Sequence, residues 1–156
     1  MKVLLNINGD KKKIFIDPGE ILLDTLRNNG YYGLKKACST GDCGSCVILV
    51  EGEPMNACLI FTASMENKEI TTIEGLGTVS NPHPIQEHFV NEGAVQCGYC
   101  IPGIVLSSKA LLDKNNNPTE DEVKEALGGH ICRCTGYVKQ IKAVIKAAEE
   151  IRGKNE

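Results

Sequence analysis

No apolar run in this chain approaches the ~18 residues that a membrane-spanning helix needs, so a bilayer-crossing helix is not expected. The opening stretch from Met1 to Gly9 turns polar before a signal-peptide core is complete, which makes a soluble, cytoplasmic protein the expectation. Basic residues are in deficit as well. With 17 Lys and Arg against 20 Asp and Glu, the net charge of -3 offers no field for nucleic acid or anionic lipid. Partners are expected to be proteins. The carboxylates form no persuasive acid-base pair, no substrate-pocket signature emerges, and no internal repeat is evident.

What the chain has instead is eight cysteines in 156 residues. A reducing compartment disfavours disulfides, so thiolate-bound metal is the leading reading of them. A chain of this length buries one moderate core or two small ones, and small domains need staples. Two metal-stapled halves follow naturally.

The pattern changes along the chain. Residues 3–7 and 13–16 are strand-like and flank Asn8-Gly9-Asp10, a hairpin signal. Ile21, Leu22, Leu23 and Leu26 give a short amphipathic helix closed by Asn29-Gly30. Residues 47–50 form a β-branched run turning at Glu51-Gly52-Glu53, and residues 69–73 are another strand candidate. Beyond Leu76-Gly77-Thr78 the period becomes helical. Helices are expected over residues 85–92, 102–114 and 123–127, the last opened by the capping box Thr119-Glu120-Asp121-Glu122. A closing helix is marked by Val138, Ile141, Val144, Ile145, Ala148 and Ile151. The expected class is α+β, with a mixed first domain over residues 1–76 and a four-helix second domain over residues 77–156.

Cys38, Cys43 and Cys46 have the C-x4-C-x2-C spacing of a plant-type ferredoxin, and Cys58 supplies a fourth thiolate. The loop between them is rich in small residues, so its backbone wraps closely and aims N–H groups at sulfur. A four-cysteine zinc site is the competing reading, but it usually shows two short knuckles rather than a four-residue and a two-residue gap. With the strands and helix around it, this half looks like the β-grasp fold of plant-type ferredoxins. Cys97, Cys100, Cys132 and Cys134 form the second set, as a C-x2-C and a C-x-C pair about thirty residues apart. Such pairs alone leave zinc and redox dithiols open. Hydrophobic context adds that both pairs adjoin helices.

Longer motifs narrow this. Lys35-Lys36-Ala37-Cys38, Gly41-Asp42-Cys43-Gly44-Ser45-Cys46, residues 93–100 (GAVQCGYC) and Cys132-Arg133-Cys134-Thr135-Gly136-Tyr137 together resemble the iron-sulfur subunit of the xanthine dehydrogenase family of molybdenum hydroxylases. The resemblance runs over nearly the whole chain. It implies one 2Fe-2S cluster in a β-grasp domain and a second in a four-helix domain. It further implies a large partner subunit with a molybdenum-pterin centre and another carrying FAD. On that reading the cluster on Cys97, Cys100, Cys132 and Cys134 faces the pterin, and the one on Cys38, Cys43, Cys46 and Cys58 faces the flavin. Gln96 and Cys134 are implied to lie beside the pterin; the alternative for Gln96 is an amide that merely satisfies backbone in its own loop. The leading substrate of the complex is a purine such as xanthine or a related N-heterocycle, with nicotinate, aldehydes, aromatic-CoA thioesters and carbon monoxide as alternatives. A freestanding two-cluster ferredoxin and a zinc-stapled interaction module remain competing roles.

The sequence departs from the family pattern at Ala37, where Gly is common, at Ser45, where Ala is common, and at His130, where Asn is usual. Ser45 is expected to place a hydroxyl near the first cluster and His130 a titratable ring near the second. Arg133 is expected to offset cluster charge or make an interface contact. His83 and His88 are expected in surface roles, Lys11-Lys12-Lys13 on a solvated hairpin edge, and Met55 and Met65 in packing.

Overall fold

The computed structural model describes residues 1–154. The last two positions of the expected helical domain lie outside the described residues. Strands β1 (Lys2–Ile7) and β2 (Asp10–Phe15) pair antiparallel with Ile7 opposite Asp10, leaving a two-residue loop. Asn8 and Gly9 both take positive φ there, the geometry that an Asn-Gly hairpin turn demands. Val3, Leu5 and Ile7 alternate into the core, while β2 starts three residues earlier than expected. It is an edge strand, so its lysines pair on one side and stay wet on the other.

Helix α1 (Leu22–Asn28) lays Leu22, Leu23 and Leu26 on the sheet. Strands β3 (Val47–Val50), β4 (Glu53–Asn56) and β5 (Glu69–Thr71) complete it, in the order β2-β1-β5-β3-β4 with β1 and β5 parallel. Strand β4 carries no strand signal because Pro54 interrupts it, and proline is tolerated only because β4 is the other edge. Residues 72 and 73, expected to extend β5, leave the ladder. Asn8 and Thr72 exchange two hydrogen bonds of 2.9 and 2.8 Å, and Ile73–Gly75 turns away as a 3-10 helix.

Four helices follow: α2 (Pro84–Asn91), α3 (Ile101–Lys114), α4 (Glu120–Leu127) and α5 (Val138–Gly153). The Thr119 capping box is formed, and His83 caps α2 by accepting from the Ile85 N–H. Ile85, Phe89, Ile104, Val123 and Val144 fill the bundle core. The buried stripe of α5 runs Gln140, Ala143, Val144, Ala147 and Ala148, so Val138, expected on that face, is 73% exposed. Small alanines let the helices approach closely, and a reading weighted to large aliphatics rotates the stripe.

The two cores meet at β3. Its unbroken VILV run is buried on both faces: Ile48 and Val50 join the first core, while Val47 and Leu49 pack on Leu106 and Ala110 of α3. A continuous apolar strand of this kind requires cover on each side.

Candidate metal centres

The loop before β3 and the 3-10 turn Ala57–Leu59 after β4 bring the first four cysteines together, whereas the starts of α3 and α5 bring together the second four. Within each set the thiols come in contacting pairs. Cys38 meets Cys43 and Cys46 meets Cys58; Cys100 meets Cys132 and Cys97 meets Cys134. Among the described residues no three His, Cys, Asp or Glu side chains gather as one ion would need. Two pairs per site suit a binuclear cluster, which places two thiolates on each iron.

One pair in each set is outer and one inner. Cys46 and Cys58 are buried and Cys38 and Cys43 half-buried; Cys97 and Cys134 are exposed while Cys100 is buried. Burial pushes the Cys46 thiol up to about 12, and burial together with the neighbouring Cys132 pushes Cys100 up to about 12. The backbone and hydroxyl of Thr40 pull Cys38 down to about 6, the Thr40 N–H lying 3.5 Å from its sulfur. At Cys132 burial acts upward, but the Thr135 hydroxyl and backbone and the Cys134 backbone outweigh it and bring the thiol to about 7. Donors aimed at sulfur are what a buried anionic cluster needs.

The second loop is held from within. The Tyr137 hydroxyl accepts from the Cys132 N–H at 2.8 Å and donates to the His130 carbonyl at 3.1 Å, with Tyr137 itself at φ 68. Gln96 is exposed, and its amide nitrogen donates to the Cys134 carbonyl at 3.1 Å. Arg133 is exposed. Ser45 is buried between Gly44 and Cys46.

His130 is placed differently from expectation. Its ring is buried, hydrogen-bonded through Nε2 to the Ser107 hydroxyl at 2.7 Å, and burial pushes it down to about 4. It packs on Gly44 of the first loop so tightly that a Cβ there would fall 2.3 Å from Nδ1. The neutral ring therefore sits between the two cysteine loops. Two further contacts join them: the Ile131 N–H donates to the Cys43 carbonyl at 3.1 Å, and the Tyr99 hydroxyl to the Lys36 carbonyl at 2.7 Å.

Sequence reasoning missed Gln140, which is fully buried with its amide nitrogen 3.7 Å from the Cys132 sulfur and 3.9 Å from that of Cys100. A polar residue at a stripe position of α5 was the available signal. His88 pairs with Glu150 at 2.8 Å, Met65 is in the first core, and Met55 is exposed rather than packed.

Two family models match. The 2Fe-2S iron-sulfur cluster binding domain covers residues 5–71 and the [2Fe-2S] binding domain residues 72–145. The nicotinate dehydrogenase small FeS subunit of Eubacterium barkeri is 43% identical over 147 residues, which is 94% of this chain and 93% of that protein. The chain belongs to the iron-sulfur subunits of the xanthine dehydrogenase family of molybdenum hydroxylases. Quinoline 2-oxidoreductase from Pseudomonas putida 86 superimposes with a TM-score of 0.93 at 37% identity, covering 98% of this chain and 96% of that one. Aldehyde oxidoreductase from Desulfovibrio gigas does so with 0.94 at 37% identity over 99% of this chain, but the chain spans only 17% of that polypeptide. Iron-sulfur subunits of this family thus occur both as separate chains and as fused parts of larger ones. This one carries two 2Fe-2S clusters and serves electron transfer in an oxidoreductase. Among the described residues no helix is long and apolar enough to cross a membrane.

Proposed function

We propose that this chain relays single electrons from a molybdenum-pterin centre in a large partner subunit, through its two clusters, to FAD in another subunit. Residues 1–76 hold one cluster on Cys38, Cys43, Cys46 and Cys58. Residues 77–156 hold the other on Cys97, Cys100, Cys132 and Cys134. When bound, each cluster supplies a one-electron redox couple, and this chain's residues supply position, insulation and hydrogen bonds.

The observation that carries the reading is the Cys43 carbonyl accepting the Ile131 N–H at 3.1 Å. A ligand residue of the first set thereby touches the neighbour of Cys132, a ligand of the second. The outward end supports a large partner. Exposed Cys97, Cys134 and Gln96 lie in sequence beside Tyr99, Ile131 and Val138, which are 44%, 59% and 73% exposed. Apolar surface around a redox group suits cover by another protein. Gln96 keeps its amide oxygen for the pterin while its nitrogen holds the Cys134 carbonyl.

For the substrate, an N-heterocycle is favoured, since the relatives include a nicotinate dehydrogenase and a quinoline oxidoreductase. A pyridine-type ring is then supported more directly than a purine. Eight free cysteines that serve as iron ligands also suit the cytoplasm. The test is to purify the native complex through a tag on this chain. It should contain molybdenum and flavin, about four irons per copy of this chain, and two rhombic EPR signals on reduction. Nicotinate should bleach the clusters faster than xanthine. A tagged chain that emerges free of large partners would refute the relay.

A further inference from the structure

Gln140 is an amide where packing calls for a hydrocarbon. It lies on the core stripe of α5 beside Ala143 and Val144, with no exposed surface, and its Oε1 has no hydrogen-bond partner. A methionine or leucine would fill that space without stranding a carbonyl. Its nitrogen, by contrast, faces two sulfurs, 3.7 Å from Cys132 and 3.9 Å from Cys100. The amide group carries two hydrogens, one for each sulfur, and a thiolate only accepts. The opposite orientation would press a carbonyl oxygen on two anionic sulfurs.

We propose that Gln140 sets the reduction potential of the second cluster by donating its two amide hydrogens to Cys100 and Cys132, and so places the transferred electron on the iron held by that inner pair. This rests on the ligand assignment above. Reduction adds one electron to a core of two ferric ions and makes one of them ferrous, with no bond broken and no proton moved. The charge of cluster and thiolates rises from two negative to three. Hydrogen bonds to sulfur strengthen with that charge, so they favour the reduced form and favour it at the iron whose thiolates receive them. The outer pair, Cys97 and Cys134, is exposed and receives no side-chain amide among the described residues. The first site has no counterpart either: the Asn56 amide turns its oxygen toward Cys46 at 3.8 Å and gives its nitrogen to the Gly41 carbonyl at 3.0 Å. Any effect of Gln140 therefore belongs to one cluster.

The experiment is an EPR-monitored redox titration of the native complex, reduced with dithionite, in Gln140→Met and Gln140→Asn. Methionine keeps the length and removes the donors; asparagine keeps the donors and withdraws them by one methylene. In Gln140→Met the reduced-to-oxidised ratio of the second cluster should fall about tenfold at a fixed potential, a midpoint lowered by about 59 mV for one electron. The first cluster's midpoint should stay in place, and Gln140→Asn should fall between. The exchangeable-proton couplings of the second cluster in pulsed ENDOR should weaken in step. An unchanged second midpoint, or equal shifts in both clusters, would overturn the proposal. So would loss of the second cluster in both variants, because Gln140 would then hold structure rather than potential. A wild-type complex lacking the second signal altogether would instead sink the ligand assignment, and this inference with it.

Discussion

Gly103→Ala tests the joint between the two cysteine loops. Gly103 lies in the first turn of α3, and a Cβ built there would stand 2.2 Å from the Gly44 carbonyl oxygen and 3.2 Å from the His130 ring. Backbone on the far side has no rotamer to retreat into, so relief requires α3 and the first loop to part by about 1 Å, which breaks native packing density. Overpacking of this kind costs about 1–3 kcal/mol. Alanine returns up to about 1 kcal/mol of helix propensity relative to glycine, less in a first turn. The net expectation is a loss of about 2 kcal/mol, or about 4–8 °C in Tm for a chain of this size. Gly129→Ala is the control, since nothing lies within 4 Å of a Cβ there. The assay is thermal unfolding of the iron-loaded protein, with magnetic coupling between the two reduced clusters measured by EPR. Gly103→Ala should melt earlier and show weaker coupling, while the control does neither. A Tm that rises with unchanged coupling would refute the close approach of the loops.

Two other outcomes follow from the geometry. Cys100→Ala should leave about two irons per chain and only the first cluster's EPR signal; retention of both signals would remove Cys100 from the ligand set. His83 caps α2 as an acceptor and therefore as a neutral ring, and burial, then the charge of Lys109, holds it below its ordinary 6.5. The folded state prefers the unprotonated form, so this stability is full above 6.5 and is lost as pH falls through the lowered folded value. In urea unfolding, wild type should lose more stability between pH 7.5 and pH 5 than His83→Asn, whose amide caps at both; equal losses would refute the role.

Much of this was legible because local chemistry and global fold agree. The Asn8-Gly9 turn and the Thr119 capping box each state their geometry within a few residues, and both formed as read. Strand β4 was hidden because an edge strand needs little apolar signal and tolerates Pro54. The α5 stripe was misjudged at Val138 because close packing there is carried by Ala143, Ala147 and Ala148. The contacts of His130 and Gln140 were hidden for another reason. Their meaning comes from loops and helices distant in sequence, Gly44 for one and the Cys100–Cys132 pair for the other, which adjoin only after folding.

On the proposed relay, the arrangement of the thiols bears on where an electron would rest. Were both sites open on all sides, each cluster would be exposed to water and to any small oxidant. Instead the contact between the loops is internal, closed by the neutral His130 ring, the Ile131–Cys43 hydrogen bond and Gly44 against Gly103. The outward pair Cys97 and Cys134 is exposed, while Gln140 turns its amide nitrogen to Cys100 and Cys132 behind it. On the proposed relay, an electron entering at the exposed iron would come to rest on the buried one, whose ligand Cys132 adjoins Ile131 and through it the first cysteine loop.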